Sequence, residues 1–143
     1  MPPTNTKELT ETIFALKRLM FSQLQKKTKF STENLIHFEA LSFIGEQTTP
    51  KMKDLANLFG ITPPSITCMI DKLEKQKLLL RQHDQKDRRN IYLKLTPSGT
   101  KFLKTIRESI ETKMISFLSP LTNNDKKNLI NIYQKILKHY ERL

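Results

Sequence analysis

Residues 84–99 read DQKDRRNIYLKLTPSG. A cluster of charge gives way to a run that alternates apolar and polar residues, and the run ends in a Thr-Pro pair. In the alternating part Ile91, Leu93 and Leu95 share one face, and Asn90, Tyr92 and Lys94 share the other, the pattern of a half-buried strand. Just upstream, LLLRQ (78–82) has the composition of a second strand, and HDQKDRRN between the two is rich in turn residues. The two strands therefore predict a hairpin tipped by Arg88 and Arg89. Thr96 is placed to cap a following helix and Pro97 to occupy its first turn, where a missing N–H costs nothing. Charge at a hairpin tip is ordinarily a solvated turn, so the neighbouring segments decide whether it means more.

Immediately before the hairpin, Met52, Leu55, Ala56 and Phe59 fall on one face of a short helix that Gly60 ends. Thr62 then caps a second helix, Pro63 sits in its first turn, and Ile66, Met69, Ile70 and Leu73 form its buried stripe. A short helix, a tight turn at 60–62 and a second helix are the ingredients of a helix-turn-helix, and equally of an ordinary helical hairpin in an α-rich core. The second helix separates the two readings. Its outward side carries Pro64, Thr67, Cys68, Asp71, Lys72 and Lys75, which are small or cationic apart from the aspartate. Small side chains let a helix sink into a major groove, and its N-terminal N–H groups favour phosphate. A basic hairpin directly after such a helix is a wing, whose arginines suit the negative potential of a narrow minor groove. Asp87 is expected to hold a neighbouring guanidinium in place.

Further out, Leu9, Ile13, Leu16, Met20 and Leu24 predict a first helix over Leu9–Lys27, and a second, capped by Ser31 or Thr32, buries Leu35, Phe38, Leu41 and Ile44 before TTPK at 48–51 ends it. On the C-terminal side the helix begun at Pro97 runs through Phe102, Ile106, Ile110, Met114 and Phe117 to Pro120. A Thr122/Asp125 capping box opens a last helix with Leu129, Ile132, Ile136 and Tyr140. The fold class is thus mainly α with a small β-hairpin wing.

The chain has 143 residues, one domain's worth, with a net charge of +11. The charge is uneven: residues 51–104 hold twelve basic and five acidic groups, net +7, against net +1 for 1–50 and net +3 for 105–143. Such a centre points to a polyanionic partner. No stretch reaches the length and apolarity of a membrane span, and the opening MPPTNTKELTE is unlike a signal peptide, so a cytoplasmic location is expected. Cys68 has no second cysteine to pair with, and His37, His83 and His139 are too scattered for a metal site, so neither metal nor cofactor is expected. No nucleophile-base pair, glycine-rich phosphate loop or meaningfully spaced carboxylate pair is present, which argues against an enzyme.

Met52–Phe102, above all DRR followed by alternation and LTPSG, resembles the winged helix-turn-helix of the MarR (multiple antibiotic resistance regulator) family, and the flanking helices match in number and length. The resemblance implies a homodimeric transcription regulator of bacteria or archaea that binds a pseudopalindromic operator in double-stranded DNA. It implies a repressor released by a small ligand, often phenolic or otherwise aromatic. It assigns Thr62, Pro64, Ser65, Thr67 and Lys72 of the recognition helix and Asp87, Arg88 and Arg89 of the wing to DNA binding, with Arg89 entering the minor groove. Residues 1–143 then form a single MarR-type domain, 1–30 and 105–143 supplying dimerisation helices and 31–104 the DNA-binding region. Two positions depart from the pattern. Cys68 stands where many members have an arginine, so it joins the DNA-facing set as a small spacer or as a thiol whose modification would obstruct the groove. Lys77 stands where a glycine often ends the recognition helix. The other reading is a winged-helix protein- or RNA-interaction module, for which an apolar or acidic outer face on the second helix would be expected.

Overall fold

The computed structural model describes residues 4–25 and 32–141. Its elements follow the order α1 (Thr4–Gln25), α2 (Thr32–Glu46), α3 (Met52–Phe59), α4 (Pro63–Lys75), β1 (Leu79–His83), β2 (Ile91–Leu95), α5 (Pro97–Phe117) and α6 (Asn123–Tyr140). The chain divides into two compact units, Met1–Ile110 and Glu111–Leu143. Among the described residues no helix is long and apolar enough to cross a membrane. The cap expected at Ser31 lies outside the described residues, and Thr32 opens α2 itself.

In the first unit the core gathers Ala40, Leu41 and Ile44 from α2, Leu55 from α3, Ile66, Met69, Ile70 and Leu73 from α4, Leu78 and Leu79, and Leu93 from β2. Phe102 and Leu103 of α5 pack against it. The four α4 residues are those of the apolar stripe in the sequence, spaced so that a 3.6-residue turn brings them to one side. β1 and β2 pair antiparallel, with Leu79 opposite Leu95 and Arg81 opposite Leu93. Beyond the hairpin, Leu93 N–H donates to the Pro50 carbonyl at 2.8 Å, which ties β2 to the segment leading into α3. α3 is held at its start by Asp54, whose carboxylate accepts the Lys51 N–H at 2.8 Å, and it stops at Gly60, where φ is 61°.

The junction between α4 and the hairpin differs by one residue from the sequence expectation. β1 starts at Leu79 rather than Leu78, because Leu78 still belongs to the helix end. Leu78 N–H donates to Leu73 O at 3.0 Å and Lys77 N–H to Glu74 O at 2.9 Å, the paired bonds of a Schellman motif. Lys77 takes the left-handed position of that motif with φ 60°. A side chain with Cβ is strained there. Lys77→Gly is therefore expected to stabilise the protein by about 1 kcal/mol, measured as a rise in urea midpoint at unchanged m. A fall in the midpoint would mean that the lysine is not strained.

In the second unit the Thr122/Asp125 capping box forms as the sequence predicts: Asp125 N–H donates to Thr122 Oγ1 at 3.2 Å, and Thr122 N–H donates to Asp125 Oδ2 at 2.9 Å. α6 has no buried residue. Its Ile130, Ile132, Tyr133, Ile136, Leu137 and Tyr140 are all at least half exposed. In the first unit α1 likewise exposes Leu9, Ile13, Phe14, Leu16, Leu19 and Phe21.

Candidate nucleic-acid interface

Thr62, at the N-cap of α4, and Pro64, Ser65, Thr67, Cys68 and Lys72 within it all lie on the exposed side of the helix, opposite its core stripe. The first turn is unusual. Pro63 and Pro64 leave the first two helical positions without an N–H, the second of them one a cap would bind, and Thr62, extended at φ −70° and ψ 150°, makes no side-chain cap bond. Its hydroxyl lies instead 3.0 Å from Ser65 Oγ. Thr62 thus caps by position rather than by its hydroxyl. Thr67 Oγ1 donates back to the Pro63 carbonyl at 3.0 Å.

Three of the four charged residues on this helix, Asp71, Lys72 and Glu74, are paired. Lys72 Nζ is 3.0 Å from Glu33 Oε1 of α2, an ion pair more than half exposed on both sides. The hydrogen bond with Lys72 is the main cause that lowers the Glu33 pKa, and its counterpart raises that of Lys72. Such a pair contributes little to stability, so the ammonium can exchange it for a phosphate at small cost. Asp71, the one acid on the outward face, faces Arg81 Nη2 at 2.6 Å, while Arg81 Nη1 pairs with Glu74.

Arg81 is the residue that the sequence reading missed. It joins β1 of the wing to two successive turns of α4, and so sets how the hairpin lies against the recognition helix. A signal was present: Arg81 alternates with Leu79 on the inward side of β1, where a cation needs an acidic partner, and Asp71 was an acid out of place. Arg81→Met is expected to lower stability by about 1 kcal/mol, since both acids remain partly solvated. Combining it with Asp71→Asn in a double-mutant cycle should give a coupling of similar size. Zero coupling would show that solvent screens the pair completely.

The wing tip is wired through its backbone. Asp84 N–H donates to Asn90 O and Asn90 N–H to Asp87 O, both at 2.9 Å. Asp84 Oδ1 accepts the Lys86 N–H at 2.9 Å, and Asp84 Oδ2 accepts the Tyr92 hydroxyl at 3.0 Å. These bonds, the Lys86 N–H first, hold the Asp84 carboxyl below the usual carboxylate range. The depressed pKa means that the contribution is complete above the unfolded value and is lost as pH falls through the lower folded one, so the turn stays fixed at neutral pH. His83 Nδ1 donates to the Arg88 carbonyl at 3.1 Å.

Asp87 behaves differently from the expectation. Its carboxylate accepts the backbone N–H of Arg89 at 3.0 Å rather than a guanidinium. Aspartate closes such a local ring two residues on more readily than it fixes a long, solvated side chain. Among the described residues neither Arg88 nor Arg89 forms an ion pair, and both are exposed. At the base of the wing Lys51 Nζ lies 3.3 Å from Asn90 Oδ1 and 5.4 Å from the centre of the Tyr92 ring, which links it to the start of α3.

The arrangement presents a helix with a small-residue exposed face, a hairpin clamped to it by Arg81, and two unpaired arginines on a rigid tip. Comparisons with known proteins agree with it. Residues 34–91 match the family model described as MarR family. The HTH-type transcriptional regulator FarR of Neisseria gonorrhoeae is 36% identical over 73 residues, 51% of this chain and 50% of that protein. The HTH-type transcriptional repressor MdtR of Bacillus subtilis is 31% identical over 91 residues, 64% of this chain and 59% of that protein. The chain thus spans between half and three fifths of the length of these two relatives. Among solved structures, the transcriptional regulator BldR of Sulfolobus solfataricus superposes with a TM-score of 0.71 at 28% identity, covering 97% of this chain and 99% of that one. Family model, relatives and fold agree on a winged helix-turn-helix, and this chain is similar over residues 34–91 to the MarR family and in its fold to transcriptional regulators such as BldR.

Proposed function

We propose that this protein is a sequence-specific repressor that binds a pseudopalindromic operator as a homodimer, with α4 in the major groove and the wing in the adjacent minor groove. The observation that carries the reading is the pair Arg88 and Arg89, exposed and, among the described residues, without ion pairs on a turn whose backbone is fixed by hydrogen bonds. A cation held in place without an intramolecular partner is suited to a polyanion. Thr62, Pro64, Ser65, Thr67, Cys68 and Lys72 form the α4 side of the interface in this reading, and Asp87 positions the wing backbone.

The homodimer is supported by the exposed apolar residues of α1 and α6, such as Leu9 at 58%, Leu137 at 60% and Tyr140 at 68%. Faces of this kind are covered by a second copy at low cost. Segments 1–30 and 105–143 then serve dimerisation and 31–104 serves DNA. Light scattering at micromolar concentration is expected to give twice the 16.8 kDa chain mass, and a monomeric mass would sink the dimer. Fluorescence anisotropy with duplex DNA selected from a random pool tests the rest: tight binding that weakens steeply with salt is expected. Binding only to structured RNA would replace this reading with the interaction-module alternative. Release of the selected duplex by small phenolic or other aromatic compounds is the finer part of the proposal, and the same anisotropy assay reads it.

A further inference from the structure

We infer that the recognition helix reads its half-site chiefly through the 5-methyl groups of thymine rather than through paired hydrogen bonds to base edges. The inference rests on the DNA-binding reading above and adds to it the chemistry that α4 recognises. In the major groove a base pair is told apart either by hydrogen-bonding donors and acceptors, typically Arg, Lys, Asn or Gln, or by apolar contact with the thymine methyl. α4 reads PPSITCMIDKLEK and holds no Arg, Asn or Gln, and its two lysines, Lys72 and Lys75, lie beyond its first two turns. The hydroxyls at its start have partners within the protein. Asp71 is paired with Arg81, and Lys72, whose exposed pair with Glu33 can be exchanged for a phosphate, lies on the third turn. The single proton of the Thr67 hydroxyl goes to the Pro63 carbonyl, and the Thr62 and Ser65 hydroxyls bond to each other, which leaves one proton between them free.

Beside the Thr62–Ser65 hydroxyl pair, what remains outward on the first two turns, where a recognition helix meets the bases, is the Pro64 ring, the Thr67 methyl and the Cys68 thiol, all on exposed residues. This surface is apolar, small and poor in free donors. It matches a row of methyl groups and offers little to guanine O6 and N7. Lys75, the remaining cation of α4, is its last residue and lies about 18 Å along the axis from Pro63 at 1.5 Å per residue, away from the turns that enter the groove.

The test uses the full chain and the duplex it selects from a random pool. Each thymine of the half-sites is replaced singly by deoxyuridine, which lacks only the methyl, and each purine singly by its 7-deaza analogue, which lacks the N7 acceptor. At one or more thymines per half-site the expected loss is about four-fold, the value of one buried methyl, while 7-deaza substitutions opposite α4 stay within about two-fold of the parent duplex. Thr67→Ser, which keeps the hydroxyl and removes the methyl, should cost a similar factor with the parent duplex and abolish the deoxyuridine effect at one position. Tight binding that tolerates every deoxyuridine but fails with 7-deazapurines would overturn the inference and leave the DNA-binding reading intact. A pool from which no duplex is retained would overturn both.

Discussion

Gly99→Ala is expected to destabilise the protein by about 3 kcal/mol, at the upper end of the cost of overpacking. Helix propensity alone argues the opposite sign: Gly99 lies in the first turn of α5, where alanine gains up to about 1 kcal/mol. Space decides the matter. A Cβ at Gly99 would fall 1.9 Å from the Leu78 carbonyl oxygen and 2.9 Å from its carbon. That carbonyl has little room to move. It accepts the Thr96 N–H at 3.1 Å, and Thr96 Oγ1 both donates to Lys77 O at 2.5 Å and accepts the Gly99 N–H at 3.0 Å. Lys77 and Leu78 also form the Schellman end of α4, so the start of α5 and the end of the recognition helix are one packed unit. The Thr-Pro-Ser-Gly sequence after the wing therefore has a steric reason: threonine caps and glycine lets the two backbones touch. Urea denaturation should show the loss as a lower midpoint. Gly45→Ala is the control, because its Cβ would meet only side-chain carbons, Leu95 Cδ1 at 3.0 Å and Leu103 Cδ1 at 4.0 Å. That change should stay within about 1 kcal/mol of the parent. A Gly99→Ala protein as stable as the parent would show that the contact relaxes freely.

Arg89→Ala is expected to weaken binding to the selected duplex about thirty-fold, or roughly 2 kcal/mol, against about two- to three-fold for Lys101→Ala, although each removes one charge. An exposed lysine such as Lys101 of α5 contributes mainly through counterion release. An arginine in a narrow minor groove adds desolvated hydrogen bonds and the local negative potential. The geometry of Asp87 refines the comparison. Because Asp87 holds the Arg89 backbone N–H, Asp87→Asn, which keeps an acceptor oxygen, should bind nearly as well as the parent, whereas Asp87→Ala should lose several-fold. Anisotropy at one fixed salt concentration measures all four. Equal losses for Arg89→Ala and Lys101→Ala would return the wing to an ordinary solvated turn.

Much of this molecule is written in its local sequence. The 3.6-residue stripe of Ile66, Met69, Ile70 and Leu73, the two-residue alternation of Ile91, Leu93 and Leu95, the stop at Gly60 and the Thr122/Asp125 box each depend on residues within one or two turns of each other. Periodicity and capping therefore fix the element order and the face that α4 turns outward. The clamp of Arg81 on Asp71 and Glu74, the Lys72–Glu33 pair, the bond from β2 to Pro50 and the close approach of Gly99 to Leu78 join groups on different elements, and spacing along the chain does not encode them. The start of β1 moved by one residue for the same reason: both backbone polar groups of Leu78 are engaged by residues on either side of the hairpin, the N–H by Leu73 and the carbonyl by Thr96. Asp87 and Thr62 show the limit on a finer scale. Their positions were readable, but each side chain chose among partners a few ångströms apart, and that choice depends on which backbone N–H groups the turn leaves free. The sequence alone determined which elements form and which faces they bury, because those are set by short-range periodicity and backbone preference. Only the tertiary structure decided which polar groups meet, because hydrogen bonds and ion pairs depend on distances of a few ångströms between segments far apart in the chain.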